Sequence, residues 1–166
     1  KNLNSLSNLK KLSLEYFDNI ENLNELSNCT KLIELKILGC KNLKDLKGLE
    51  KCTNLFRLNI YDCKNLGKLE GISNSKNLEK LEILYCNNLK NLDSLSNLTK
   101  MTILKLCSCD SIQNVGSLSK LTNLIYLNLY DCKNISNIDG ISNCTNLIEL
   151  NLNSCLRLQS VIMLSK

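Results

Sequence analysis

An apolar residue recurs every 23 positions along most of this chain, and the same pattern follows each occurrence. The recurring residues are Leu26, Leu49, Ile72, Leu95, Leu118, Ile141 and Leu164. A fixed period of this length indicates a solenoid, in which each short unit buries its apolar face by stacking on its neighbours. The function of a solenoid usually resides in the surface that it displays, so the outward positions of the repeat are the main candidates for a site.

The unit has the skeleton LxxLxLxxCxxLxxLxxLxxCxx, which is complete from Leu32 to Asn54. We number positions from that leucine, so Leu32 is position 1 and Cys40 is position 9. Division at the apolar spine gives a shortened first repeat, 6–25, and then 26–48, 49–71, 72–94, 95–117, 118–140 and 141–163. We expect one domain over residues 1–166. The start at Lys1 and the end inside a further copy lead us to expect a fragment of a longer protein.

Two hydrophobic periods meet within each unit. Leu35 and Ile37 alternate with polar residues, which is the period of a half-buried strand. From Cys40 onwards the apolar residues recur at every third position, which is too tight for an α-helix and fits 3₁₀ turns. The sequence therefore predicts parallel strands about 4.8 Å apart on one face, turns and loops on the other, and little or no α-helix.

This pattern resembles the leucine-rich repeat family over essentially the whole chain. LxxLxLxxC recurs in repeats two to seven, and Phe17 replaces the cysteine in the first repeat. The ninth-position cysteines are Cys40, Cys63, Cys86, Cys109, Cys132 and Cys155. The resemblance implies an α/β-type leucine-rich repeat solenoid whose strands line a concave face that binds partners. The Cys-bearing units look like those of plant resistance-type receptors and protist leucine-rich repeat proteins.

Composition narrows the function classes. There is no run of 18 apolar residues, so we expect no membrane insertion. The net charge of +5 is spread along the chain with acidic residues interspersed, which favours solubility over a nucleic-acid partner. No signal segment is visible, so a cytoplasmic location is favoured, and an extracellular one remains open if such a segment is missing from this fragment.

The chain has ten cysteines, and their placement favours packing over a disulfide framework. Six occupy the ninth-position column, and Cys29, Cys52 and Cys144 share a second inward column with Leu98 and Leu121. Stacked rungs point their Cβ atoms in parallel, which is poor geometry for a disulfide. A column also disperses ligands that zinc needs to converge, and the chain has no histidine. We therefore expect a buried structural cysteine ladder and no metal.

Cys107 is the exception, because it occupies position 7, which should point outward. One interpretation is a solvent-accessible thiol. The other, which we favour, is a small residue in an apolar surface stripe, since no neighbouring basic residue in the sequence would lower its pKa.

The outward positions 3, 5, 7 and 8 hold all five tyrosines. Position 7 stays apolar or aromatic over five successive repeats, and positions 3 and 5 add flanking charge. Tyrosine is enriched in binding hot spots, whereas its fit to a pleated sheet is the alternative explanation of its placement. We predict partner-binding roles for Tyr16, Leu38, Tyr61, Leu84, Tyr85, Tyr126, Tyr130, Lys36, Arg57 and Lys105.

These features favour a non-enzymatic module that binds a protein partner through its concave strand face, as a monomer and without a cofactor. The alternatives are the recognition part of a larger signalling receptor or ubiquitin ligase adaptor, and an extracellular adhesion module. Catalysis is the weakest hypothesis, because the chain has no histidine and no visible nucleophile–base arrangement or cofactor motif.

Overall fold

The computed structural model describes residues 6–160, which form seven short strands in a single sheet. The strands are β1 (Lys11–Glu15), β2 (Glu34–Leu38), β3 (Arg57–Tyr61), β4 (Lys80–Leu84), β5 (Ile103–Cys107), β6 (Tyr126–Asn128) and β7 (Glu149–Asn151). Each strand belongs to one repeat, which we call a rung and number as its strand. The spatial order of the strands is their order in the chain.

All six strand pairings are parallel, and each residue pairs with the residue one repeat further along. Leu35 pairs with Leu58, for example, and Ile37 with Ile60. Because side chains alternate across a strand, positions 4 and 6 all point into the core while positions 3, 5 and 7 share the other face. The register thus turns a sequence repeat into continuous columns of side chains.

The opposite side of the solenoid carries short 3₁₀ turns. Their bounds are Asn24–Leu26, Glu70–Ile72, Asp93–Leu95, Gly116–Lys120 and Asp139–Ile141. Backbone hydrogen bonds of the i to i−3 type tighten them, as from the Leu26 amide to the Leu23 carbonyl at 2.8 Å. Within residues 6–160 there is no α-helix. The predicted parallel strands, 3₁₀ turns and lack of α-helix are confirmed for this part of the chain.

The period-three residues and both cysteine columns fill one continuous core. The ninth-position thiols donate to backbone carbonyls, as from Cys132 Sγ to the Leu106 carbonyl at 2.7 Å. Sequence analysis missed Ser75, which stands in the second inward column and is 1% exposed. Its hydroxyl donates to the Cys52 carbonyl at 3.3 Å. A small donor therefore suits these corners, whether it is a thiol or a hydroxyl.

Asparagine side chains join neighbouring rungs on the turn side. The amide of Asn54 donates to the Thr30 carbonyl at 2.9 Å, and that of Asn123 donates to the Thr99 carbonyl at 2.9 Å. Asn77 and Asn146 repeat the contact at their own rungs. These bonds satisfy backbone carbonyls that loops otherwise leave to water. The abundance of asparagine thus has a structural cause.

The glycines of two turns allow adjacent rungs to approach closely. A Cβ at Gly71 would collide with the Leu46 carbonyl, and one at Gly140 would collide with the Val115 carbonyl. Any larger residue would push the turn away from its neighbour and open the core between the rungs.

Candidate protein-binding face

Three columns of side chains project from the sheet on the side away from the core. They stand at positions 3, 5 and 7 of each rung, and the parallel register aligns them across the solenoid. Position 3 is charged in rungs 1 to 4 and then becomes apolar at Ile103 and aromatic at Tyr126. This surface therefore changes character along its length.

A connected polar network lies at the centre of the face. The Tyr61 hydroxyl donates to Glu82 Oε2 at 2.7 Å, and Lys105 Nζ lies 3.1 Å from Glu82 Oε1. Lys105 Nζ also lies 5.7 Å from the ring centroid of Tyr126. Burial, together with the Glu82 carboxylate, raises the pKa of the Tyr61 hydroxyl. Three of the predicted binding residues are therefore held in fixed positions before any partner arrives.

The first rungs carry two more ion pairs across the strands. Lys36 Nζ lies 2.9 Å from Glu15, and Lys11 Nζ lies 3.1 Å from Glu34. Both pairs are substantially exposed, so each contributes little to stability. Among residues 6–160, Arg57 lacks a carboxylate within ion-pair distance, which distinguishes it from the two other predicted basic binding residues.

The seventh-position stripe is less exposed than its alternation with core residues suggested. Leu38, Tyr61 and Leu84 are half-buried, while Tyr130 is 46% exposed. Neighbouring side chains in the same column cover one another because rungs are only about 4.8 Å apart. The stripe thus ends in one well-exposed aromatic ring.

Cys107 is buried, with 7% of its surface exposed, so the interpretation as a solvent-accessible thiol is wrong. It lies in register with Leu84 on one side, and Tyr130 occupies the same position on the next rung. Those larger side chains flank the small thiol. Burial raises the pKa of Cys107, which favours the unreactive protonated form.

Position 8 is not a strand position, contrary to the expectation for Tyr16 and Tyr85. Each lies one residue past its strand, with a left-handed φ of 60° and 59° respectively. The same conformation recurs at Gly39, Asp62, Ser108, Asp131 and Ser154. Tyr130 also lies beyond its strand, since β6 ends at Asn128. The tyrosines at positions 7 and 8 that lie outside strands are among the well-exposed aromatic residues of the molecule.

Sequence analysis missed the apolar residues at position 2, just before the strands. Ile125 is 42% exposed and Ile148 is 84% exposed. Ile125 lines a shallow depression together with Ile103 and Tyr126 at the side of the strand face. The sequence does contain evidence for an apolar surface at this position, because position 2 also holds Ile33 and Phe56 in earlier rungs. That position precedes the alternating segment, so the strand pattern did not assign it to the displayed face.

The remaining cysteines present no exposed thiol on this face. All ten cysteines are buried free thiols. Burial raises the pKa of Cys109 to about 12 and that of Cys52 to about 11. Within residues 6–160, no group of three or more His, Cys, Asp or Glu side chains is placed to hold a metal ion.

Solved structures with the same architecture come from several organisms. The internalin C2 of Listeria monocytogenes matches with a TM-score of 0.63 and 22% identity, over 90% of this chain and 73% of that one. The leucine-rich repeat domain of the type III effector XopL matches with a TM-score of 0.65 and 22% identity, over 96% and 67%. The chain has the leucine-rich repeat fold.

The likeness extends to part of a much longer chain. Toll, in its complex with Spatzle from Drosophila, matches with a TM-score of 0.62 and 17% identity over 92% of this chain. The chain spans 24% of the Toll chain. No protein-family model matches the sequence, and no curated protein matches it.

Within residues 6–160, no helix is long and apolar enough to cross a membrane.

Proposed function

We propose that this leucine-rich repeat chain is a non-enzymatic module that binds a protein partner on its concave strand face. The observation that carries the proposal is the combination of a pre-ordered polar network at the centre of that face with exposed aromatic and aliphatic side chains around it. Tyr61, Glu82 and Lys105 hold one another in place, so little side-chain entropy remains to be lost when a partner covers them.

The exposed residues provide the apolar contact that such an interface needs. Tyr85 is 56% exposed and Tyr130 is 46% exposed. Ile125 adds an aliphatic surface at the amino-terminal end of β6, whereas Tyr85 lies just past the carboxyl-terminal end of β4. Tyrosine side chains that a partner buries are among the residues that typically carry much of the binding energy of an interface. The published complex of Toll with Spatzle supports the idea that this fold can serve a protein ligand.

The predicted residues then divide into two roles. Tyr16, Tyr85 and Tyr130 would bury their rings against the partner, with Leu38 and Leu84 forming the floor between them. Tyr61, Tyr126, Lys36, Arg57 and Lys105 would orient the partner through polar contacts. Binding requires no cofactor and no second copy of the chain.

The test is a pull-down from lysate with quantitative mass spectrometry, in which the parent chain is compared with a Tyr85→Ala, Tyr130→Ala variant. Both side chains are exposed, so we expect the variant to remain folded by circular dichroism. A captured partner should fall by at least about tenfold, since truncation of one or two hot-spot rings costs on the order of 2 kcal/mol or more.

The matched control is Leu156→Ala, because Leu156 is 75% exposed but lies on the loop after Cys155 rather than on the strand face. It should retain the partner. The proposal would be contradicted if the tyrosine variant captured as much partner as the parent while the Leu156 control lost it. That result would mean that the partner does not bind on the concave face.

A further inference from the structure

Basic charge is left uncompensated at one place on the concave face. Position 3 of rungs 1 to 4 holds Lys11, Glu34, Arg57 and Lys80, which is three cations and one carboxylate. The Glu34 carboxylate lies 3.1 Å from Lys11, and it makes no ion pair with Arg57 although the two residues are in register. The next carboxylate along the face, Glu82, pairs with Lys105. Among residues 6–160, the position-3 cations Arg57 and Lys80 therefore have no carboxylate within ion-pair distance.

These two cations occupy the same position on neighbouring strands. Arg57 of β3 is in register with Lys80 of β4, which places their Cα atoms about 4.8 Å apart. Like charges directly opposite each other on a sheet are unfavourable. Neither side chain has a carboxylate within 4.0 Å among residues 6–160. Lys80 is held instead with its Nζ 6.0 Å from the Phe56 ring centroid. A carboxylate placed between the two would relieve the repulsion and accept hydrogen bonds from both.

A depression with a mixed lining extends from Lys80 towards rung 6. Its apolar wall is formed by Ile103, Ile125 and Tyr126, and its polar lining is formed by Thr102, Lys80, Glu82 and Lys105. Ile125 is 42% exposed, which leaves aliphatic surface available to a ligand. The apolar wall belongs to rungs 5 and 6, whereas the two cations belong to rungs 3 and 4. From the midpoint of the cations to the apolar wall is therefore two rungs, or about 10 Å at the usual strand spacing.

We propose that the concave face binds an extended peptide segment of its partner that carries an acidic residue and a large apolar residue about three positions apart. The acidic side chain lies between Arg57 and Lys80, and the apolar side chain fills the depression at Ile103, Ile125 and Tyr126. This inference rests on the proposed function, since it specifies which part of a protein partner the face recognises.

The spacing follows from the geometry of an extended chain. A polyproline II segment rises about 3.1 Å per residue and has three residues per turn, so residues i and i+3 point the same way about 9 Å apart. That distance matches two rungs. A helical ligand would place residues i and i+3 only about 4.5 Å apart along its axis, which is too short for the two features.

The experiment selects binders from a displayed library of random short peptides against the immobilised chain and then measures their affinity by fluorescence anisotropy. We expect enrichment of Asp or Glu three positions from Leu, Ile, Met, Phe or Trp. Affinity for the selected peptides should fall as salt is raised, because the cationic pair is exposed to screening.

The decisive variant replaces Arg57→Gln and Lys80→Gln together, and its matched control replaces Lys51→Gln and Lys76→Gln. Lys51 and Lys76 are exposed and lie on the loops of the turn side, so the change in net charge is the same. The first variant should bind the selected peptides at least about tenfold more weakly, and the control within about twofold of the parent. Ile125→Ser should remove the preference for the apolar residue while the acidic preference remains.

Two results would overturn the inference, and they have different consequences for the proposed function. Selected peptides that depend on Tyr130 but show no acidic enrichment, or bind the Arg57, Lys80 variant as well as the control, would reject the acidic segment and leave the concave face as the binding surface. A library without any enriched peptide also rejects the inference. In that case the pull-down with the tyrosine variant decides separately whether a folded partner uses this face.

Discussion

At the scale of single residues, the buried thiol is the side chain that fits the corner after each strand. Cys109 is fully buried, and its Sγ lies 3.6 Å from the Ile83 carbonyl and 3.5 Å from the Cys107 carbonyl. A thiol is small and apolar yet donates a weak hydrogen bond, so it fills the space without leaving a buried polar group unsatisfied. Because burial raises the pKa of Cys109 and of Cys52, the folded chain holds these two thiol protons more tightly than the unfolded chain does, and the two residues link stability to pH.

We expect the free energy of unfolding to fall as the pH rises from about 8 to about 10, in reducing buffer. Burial raises the pKa of Cys109 to about 12 and that of Cys52 to about 11, from an ordinary value of 9.0. Between these values the unfolded chain has lost the thiol proton and the folded chain retains it, so rising pH favours unfolding. The loss at a pH of about 10 is about 1.4 kcal/mol per such thiol. Urea unfolding at each pH, followed by circular dichroism, measures this loss in the free energy of unfolding.

Cys109→Ala is the control for this prediction. The variant begins from a lower free energy of unfolding because the substitution leaves a small cavity. Its further loss of stability at alkaline pH should be smaller than that of the parent, because one buried thiol no longer contributes to it. The same alkaline loss in parent and variant would mean that Cys109 does not contribute to the pH dependence.

At the scale of the secondary-structure element, a strand is shorter where the side chain of a position-5 asparagine accepts from the position-7 amide, as in β6 and β7 but not in β3. β6 and β7 each have three residues, whereas β1 to β5 have five. In the short strands, Asn128 Oδ1 accepts from the Tyr130 amide at 2.8 Å, and Asn151 Oδ1 accepts from the Asn153 amide at 2.9 Å. The position-7 amide is thereby bonded locally instead of across the ladder.

The ninth-position thiol compensates for the lost ladder contact. Cys132 Sγ lies 2.7 Å from the Leu106 carbonyl and Cys155 Sγ lies 3.2 Å from the Leu129 carbonyl. The corresponding distance is 3.6 Å for Cys109, whose strand is full length. The thiol thus satisfies the position-6 carbonyl of the preceding rung when the strand ends early. This shortening leaves Tyr130 outside the sheet and exposed on the candidate binding face.

We expect Asn128→Thr to lengthen β6, because the Tyr130 amide loses its local acceptor and can bond to the Leu106 carbonyl across the ladder. Hydrogen exchange of the Tyr130 amide should slow, and NMR secondary shifts at Leu129 and Tyr130 should become strand-like. The matched control is Asn59→Thr, since β3 is already full length and Asn59 Oδ1 has no hydrogen-bond partner within residues 6–160. Unchanged exchange at Tyr130 in the Asn128 variant would contradict the role of that side chain.

At the scale of the whole molecule, stability comes from contacts between neighbouring rungs. Leu81 at position 4 of rung 4 is fully buried, because rungs lie on both sides of it. Leu150 at the same position of rung 7 is only partly buried. A solenoid of this kind behaves approximately as a sum of rung stabilities and nearest-neighbour interfaces. The cost of one substitution should therefore depend on where in the stack it falls.

We expect Leu81→Ala to lower the free energy of unfolding by about 2 to 5 kcal/mol, because it opens a cavity between two interfaces. Leu150→Ala removes the same atoms from a half-exposed site and should cost less than half as much. Urea unfolding of both variants by circular dichroism makes the comparison. Equal losses would show that the last described rung is as firmly packed as the central ones.

The sequence by itself determined the repeat, the parallel stacking and the inward columns, since each of these follows from which positions are apolar. It identified the ninth-position cysteines as core residues for the same reason. It also placed Tyr61, Tyr126 and the basic residues on the displayed face, because alternation in a strand is a local property. The same pattern of apolar positions recurs in every repeat, so the sequence predicts these features several times over.

Only the tertiary structure decided how far each displayed residue is exposed. Burial of Cys107 depends on the larger residues of the adjacent rungs, Leu84 and Tyr130, which are 23 residues away in the sequence. The left-handed conformation of Tyr16 and Tyr85 depends on the tight corner between strand and loop. The exposure of Ile125 and the isolation of Arg57 and Lys80 likewise depend on which neighbours their side chains meet, and pairing between side chains is a property of the stacked solenoid rather than of one repeat.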